Sequence, residues 1–542
     1  MNKLIRVLLL TALISASVVG QQGSADLILF NGKVFTADSA NPSAEAVAIR
    51  GERIMAVGSS RDIDKLSRPG TRRIDLRGRV VIPGINDAHF HFEPAVKGFG
   101  LRFDSMDPTW DQTSAAIQQA VKEVPAGTWI FGSVGYAVVM DEQVTRSALD
   151  RIAPNHPVLL RAYYGHGYIV NSKAMPLLNI AEDEADPMGG YYERIAGSKE
   201  INGRFWEYAE WKPNRMLANQ VPDDEAINYL RQLSDQAVRF GITSMQGFPA
   251  MSVERLKRLL VNADLPIRIR VIAFSLTTPE GRDLSEIREL PKLGVGQSKI
   301  TVNGIKWVLD GTPYERGAAL RRSYSDRPGW NGRLNFPESD VRAMIKESLD
   351  LDQPILLHCA GDRTAEVVMK SMESLGSGVD WKSKRLRIEH GDGVIRELIT
   401  QARRLGVIIV QNPTHFSEAQ LFHQRWGDGM QPLRSLIEAG IPVALGSDGP
   451  INPFLNIMLA SIHPYNPKEA ISREQAIRAY TYWSAFAEFA EEEKGTIRAG
   501  KLADLAVLSQ DIFAVPAPEL PKTSSILTVI GGKIVYDAKV VK

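Results

Sequence analysis

At 542 residues the chain exceeds one ordinary core, so a large domain with a smaller companion is expected. Hydrophobic residues make up 44% and charged ones 23%, an ordinary globular composition that excludes a disordered or fibrous protein. With 64 basic against 63 acidic side chains the formal net charge is +1, so no broad field exists to gather nucleic acid or an anionic membrane.

The chain opens with Lys3 and Arg6, an apolar run from Val7 to Gly20, and then small and polar residues. This order predicts an export signal over residues 1–22, removed near residues 17 to 25. The run falls short of the roughly 20 residues that span a bilayer. The expectation is therefore a periplasmic or secreted protein with no membrane partner after cleavage. The one cysteine, Cys359, cannot form an intramolecular disulfide, so stability has to come from packing.

Residues 23–83 read as short alternating apolar runs separated by Asn-Gly, Arg-Gly and Ser/Asn/Pro clusters, which is hairpin grammar. Residues 495–542 repeat it, with Gly-Gly between two β-branched runs. Neither end is large enough for its own core, so the two are predicted to join as one β-sandwich.

The stretch between them, 84–494, alternates strand-like runs with amphipathic helical segments, the pattern of repeated βα units around a parallel sheet. Candidate strands are VVIPGIND (80–87), 157–164, 241–248, 267–274, 302–309, 354–360, 385–391, 406–412 and 441–448. That is one more than the eight of a closed barrel, so one of them is peripheral. The Gly-, Tyr- and Trp-rich segment 182–219 fits no βα unit and reads as a long loop, a candidate substrate lid with Tyr191, Tyr192, Phe205, Trp206, Tyr208 and Trp211 on it.

Histidines sit where apolar strand runs end, in VIPGINDAHFH, ILLHCAGD and LRIEHGD. Strand ends are where barrel chemistry is placed. Residues i and i+2 of an extended strand face one side, so His89 and His91 point together and can share a metal. His358 and His390 end two further strands and Asp448 ends another, in ALGSDGP. His156, His423 and His463 lie in loop or helix contexts and are assigned no function, and Cys359 reads as a small buried hydrophobe.

With PGINDAHFH, GHGYIVNSKAM (165–175), GIKWVLDGT (304–312), LLHCAGD, RIEHGD, QNPTHF, ALGSDGP and the closing EEEKGTIRAGKLADLAVLSQD in this order, the chain resembles the amidohydrolase superfamily. Within it, the resemblance is to the YtcJ-like and N-substituted formamide deformylase-like group. It covers nearly everything after the signal segment. It implies a (β/α)8 TIM-type barrel with a composite β-sandwich from the two termini. It also implies a site in which His89, His91 and Asp448 bind one divalent metal, His358 and His390 bind a second, and Lys306 bridges them as a carbamate. Lys306 would have to lose its charge first, because an ammonium cannot ligate. Imidazole and carboxylate donors without thiolate suit Zn best, with Mn, Fe or Co as alternatives.

The resemblance further implies that Asp448 orients the attacking water and carries its proton to the leaving nitrogen. His166 and His415 are the candidates to contact the scissile group or the oxyanion. Glu207, Tyr314 and Arg316 are candidates for specificity. After His415, SEAQ replaces the short acidic turn common in the family. Bland alternatives stand beside these roles. Lys306 could be a lysine paired with Asp310, Asp448 a carboxylate capping a turn, and the aromatic segment simple packing.

The expected function is hydrolysis of a C–N bond in a small N-acyl or N-formyl amine or a dipeptide. The alternatives are a deaminase or cyclic-amide hydrolase, or a metal-binding protein without turnover. Expected partners are a small-molecule amide and no nucleic acid, with a homodimer as an open possibility.

Overall fold

The computed structural model describes residues 23–293 and 299–541, so the expected export signal lies outside the described residues. At its centre eight strands run parallel in simple succession: β1 (Ile85–Phe92), β2 (Ile242–Pro249), β3 (Arg268–Phe274), β4 (Ile300–Val308), β5 (Ile355–Cys359), β6 (Arg387–His390), β7 (Ile408–Gln411) and β8 (Val443–Leu445). Connecting helices carry their apolar stripes inward, for example Leu256, Leu259, Leu260 and Ala263 of the Val253–Ala263 helix.

The end of β8 closes the ring on β1. The Asp448 N–H donates to the His89 carbonyl at 3.0 Å, and the Ser447 N–H to Asp87 Oδ1 at 2.9 Å. A side chain at Gly446 would prevent this approach, since its Cβ would stand 2.5 Å from the His89 backbone nitrogen. The fold is thus the α/β barrel that the strand pattern predicts.

The termini meet as one sandwich. Val80–Pro83 pairs antiparallel with Leu505–Leu508 in a six-stranded sheet, which packs against a four-stranded sheet of Leu27–Phe30, Ala46–Arg50, Arg53–Gly58 and Arg72–Asp75. Leu29, Val47, Ile49 and Ile74 share their core with Val81, Leu505, Val507 and Leu527.

Two expectations need correction. The run 157–164 is the surplus strand. Val158–Ala162 lies in a separate six-stranded sheet inserted between β1 and β2, beside Ile130–Val134 and Tyr168–Val170. That sheet has its own core of Ile117, Ile130, Val134, Leu149, Val158 and Leu160. The segment 182–219 is not a loop either. It supplies the hairpin Gly190–Arg194 and Ile201–Glu207 at the edge of the inserted sheet, followed by the helix Tyr208–Gln220. Of its aromatics only Trp211 reaches the cavity described below. Tyr192, Phe205, Trp206 and Tyr208 are buried in packing.

Candidate active site

The barrel interior below the site is charged rather than aliphatic, and it aims the first histidine. Arg387 and Glu389, two apart on β6, face inward together and are fully buried. Arg387 donates to Glu389, to Gln246 Oε1 at 2.6 Å and to the Ala88 carbonyl at 2.7 Å. Glu389 Oε2 in turn stands 2.5 Å from His89 Nδ1. Burial alone would raise the Glu389 carboxyl, but Arg387 and His89 hold it well below the usual carboxylate range. With Nδ1 occupied by an anion, His89 keeps Nε2 free for the cavity.

Asp448 is the point on which the other groups converge. Its Oδ1 lies 3.6 Å from His89 Nε2 and 3.4 Å from His91 Nε2. Its Oδ2 lies 3.5 Å from His415 Nε2 and 3.8 Å from His390 Nδ1. Burial raises this carboxyl, yet its polar surroundings of His89, His415, His91 and His390 hold it well below the ordinary carboxylate value. Burial pushes His91 down to about 4 and lowers His89, while His358 and His390 fall well below the ordinary imidazole value for the same reason. Neutral imidazoles around an ionised carboxylate are the protonation state that metal ligation requires. Ligand atoms of His89, His390 and Asp448 lie within 4.8 Å of one another.

His390 (φ +69°) and Asp448 (φ +40°) are both left-handed, a conformation that non-glycine residues hold at a cost of about 1–3 kcal/mol. His390 is the last residue of β6, and Asn412 Oδ1 holds its Nδ1 at 2.9 Å.

His358 ends β5 with its ring 4.4 Å from that of His390 and 5.0 Å from that of His166. Lys306, 2% exposed on β4, has its Nζ 4.6 Å from the Phe248 ring centre and no carboxylate within ion-pair distance among the described residues. Burial lowers it to about 8. The pairing with Asp310 that the sequence left open is therefore not what the fold holds. Asp310 accepts from the N–H groups of Ala319, Ala360 and Gly361 and from the Thr364 hydroxyl, tying together the loops after β4 and β5.

His166 (φ +64°) comes from the inserted sheet. Its Nδ1 is 3.0 Å from both oxygens of Glu207, and Glu210 Oε1 accepts its backbone N–H at 3.1 Å. Burial opposes the charge on this imidazole, but Glu207 outweighs it and pushes His166 up to about 10.

These groups face a cavity of about 390 Å³. Tyr163, Tyr164, Trp211, Phe274, Tyr314 and Phe422 form an apolar wall, with Arg161 beside it held by both oxygens of Glu93. Of the three specificity candidates, Tyr314 lines the cavity and Glu207 stands behind His166. Arg316 does neither; it pairs with Asp326 at 2.7 Å, off the cavity wall. Sequence reasoning missed Glu389 and Arg387, although the Arg-x-Glu alternation inside a buried strand was a usable signal. It also missed Asn412, for which no signal existed.

The chain is similar to known proteins over most of its length. A model of the amidohydrolase family matches residues 72–536. The chain is 26% identical to the N-substituted formamide deformylase of Arthrobacter pascens, over 94% of this chain and 98% of that one. It is 27% identical to the protein LONG AFTER FAR-RED 3 of Arabidopsis thaliana, over 94% and 92%. In fold it is similar to an uncharacterized metal-dependent hydrolase from Pyrococcus furiosus, with a TM-score of 0.66 at 23% identity over 90% of this chain and 99% of that one. The chain belongs to the amidohydrolase family, the metal-dependent hydrolases of carbon–nitrogen bonds.

Proposed function

We propose that the protein hydrolyses the C–N bond of a small N-acyl or N-formyl amine, or a dipeptide, with the help of bound divalent metal. The observation that carries this reading is the convergence of His89, His91, His390 and His415 on the ionised Asp448 at the mouth of the barrel. The donor set fits the group: buried neutral imidazoles and a carboxylate, with no thiolate, suit Zn, Mn or Fe. His89, His91 and Asp448 would hold one ion, and His358 and His390 a second, with Lys306 between them as a carbamate. Burial supports that last role by bringing Lys306 down to about 8, where a neutral amine is accessible for CO2. Bound there, the metal supplies Lewis acidity that polarises a carbonyl and makes water more acidic.

The rest of the chemistry belongs to side chains. Asp448 would take a proton from the attacking water and return it to the departing nitrogen. His166, with Nδ1 tied to Glu207, presents Nε2 to the cavity as a donor for the carbonyl oxygen. His415, raised by its bond to Asp448, is placed to assist the same proton transfer. The aromatic wall of Tyr163, Tyr164, Tyr314 and Phe422 accepts an apolar substituent and sheds water from it. Lys3, Arg6 and the apolar run that follows support action outside the cytoplasm.

The test is a panel of N-acyl amino acids, N-substituted formamides and dipeptides incubated with the mature protein, with amine release read by chromatography. Turnover of one class is expected. Release of ammonia from an amine or ring substrate, with every amide untouched, would overturn the reading in favour of deamination.

A further inference from the structure

Behind the cavity wall, Glu207, Glu210 and Glu315 surround the single imidazole of His166, and all four residues are buried. They come from three separate places: the loop after Ala162, the junction of the inserted sheet with the Tyr208–Gln220 helix, and the loop after β4. Ligand atoms of His166, Glu207 and Glu315 lie within 4.8 Å of one another. Thr312 fixes Glu315 through its N–H and hydroxyl, and Asn335 Nδ2 fixes Glu207 Oε2 at 2.9 Å. The two carboxylates converge over Gly311. A Cβ there would stand 2.3 Å from Glu315 Oε1 and 2.7 Å from Glu207 Oε1, so the glycine clears the space they share.

Glu207 balances the protonated His166, and among the described residues no cation is left for the other two carboxyls. Burial raises Glu315 to about 7 and Glu210 to about 8, and Arg161, whose field reaches Glu210, is committed to Glu93. Glu210 Oε1 accepts the His166 N–H, while its other oxygen is buried without a hydrogen-bond partner. Buried carboxyls such as these ionise only at a cost unless a cation joins them.

We infer that His166 Nδ1, Glu207 and Glu315 form a separate divalent-cation site behind the cavity wall, in which the ion takes the place of the Nδ1 proton and that proton leaves to solvent. Ligands of a tetrahedral ion bound at about 2.0–2.2 Å stand roughly 3.4 Å apart, so Glu207, at 3.0 Å from His166 Nδ1, is nearly in place and Glu315 closes by a small side-chain rotation. One imidazole with two carboxylates selects a zinc- or manganese-like ion over calcium. Occupying Nδ1 with a cation leaves Nε2–H as an obligate donor toward the cavity, so the site would fix the tautomer of His166. This site is independent of the amide-hydrolysis reading, because its occupancy is read without any substrate.

The experiment is diffraction from crystals of the mature protein grown with zinc chloride, with anomalous data collected at the zinc edge. A peak within about 2.5 Å of His166 Nδ1 and of oxygens of Glu207 and Glu315 is expected, separate from density beside Asp448. In solution, Glu315→Gln should lose about one zinc per chain by elemental analysis. The wild-type map decides alone if that variant fails to fold. Occupied density beside Asp448 with none at His166, or an unchanged zinc count in a folded Glu315→Gln protein, would overturn the inference. Either result leaves the hydrolase reading untouched.

Discussion

Glu389 Oε2 lies 2.5 Å from His89 Nδ1, and Arg387 donates to the same carboxylate from two positions along the strand. The barrel floor thus settles the orientation of the first imidazole before any ligand arrives. Replacing Glu389 by Gln keeps an acceptor for His89 but leaves the Arg387 guanidinium buried without its counter-charge. Zinc affinity, measured by competition with a chromogenic chelator, should fall about 10–100-fold. Urea denaturation should show a loss of about 3–5 kcal/mol. Unchanged affinity would mean that His89 is oriented by other contacts, such as its edge contact with the Phe248 ring.

Asp448 offers a cleaner separation of chemistry from stability. Asn tolerates the left-handed backbone that Asp448 adopts at φ +40°, so Asp448→Asn should fold normally. Its kcat should nonetheless drop by at least about 10²–10⁴-fold, the contribution of a positioned proton carrier. A variant that is folded, metal-loaded and fully active would assign the proton transfer elsewhere.

His463 makes the fold sensitive to acid. It is buried, its Nε2 faces the Gln431 carbonyl at 3.1 Å, and its Nδ1 accepts the Asn466 N–H at 3.0 Å. A proton on Nδ1 would meet that N–H head on. Burial holds the imidazole at about 4, against 6.5 for an ordinary histidine, and outweighs the bond to the Gln431 carbonyl and the field of Glu469, which oppose it. The unfolded chain therefore binds the proton first. The stabilising contribution is complete above about pH 6.5 and is lost as pH falls towards 4, for a total of about 3 kcal/mol. Denaturation curves should show the margin of the wild type over His463→Asn shrinking by about that amount across this window. Parallel curves would contradict it.

Cys359 is wholly buried behind His358, and burial raises its thiol well above the ordinary value. A thiol reagent should leave the native protein unlabelled and modify one site per chain in denaturant. Fast labelling of the folded protein would show that β5 opens.

Much of this arrangement could be read from the residues themselves. The alternation in DAHFH places His89 and His91 on one face because extended backbone repeats every two residues, and β1 runs through both. The sandwich was legible because neither terminal β piece can bury its own apolar face. The surplus strand at 157–164 was not resolved, because a strand buried on both faces reads the same in an inserted mixed sheet as in a parallel barrel. The segment 182–219 looked structureless since its strand Ile201–Glu207 mixes Asn, Gly, Arg and Glu with aromatics, and tertiary burial rather than local pattern keeps it extended. The Arg-x-Glu alternation could place Glu389 inside the barrel but could not name His89, 300 positions away, as its partner, and no local pattern joins Asn412 to His390 across 22 positions.

The most direct test of metal-dependent hydrolysis is to strip the purified protein with chelator, remove the chelator, and titrate zinc back while following amine release from the best amide of the panel. The stripped protein should be folded and inactive, with turnover returning saturably as zinc binds. Undiminished hydrolysis by the metal-free protein would contradict the account.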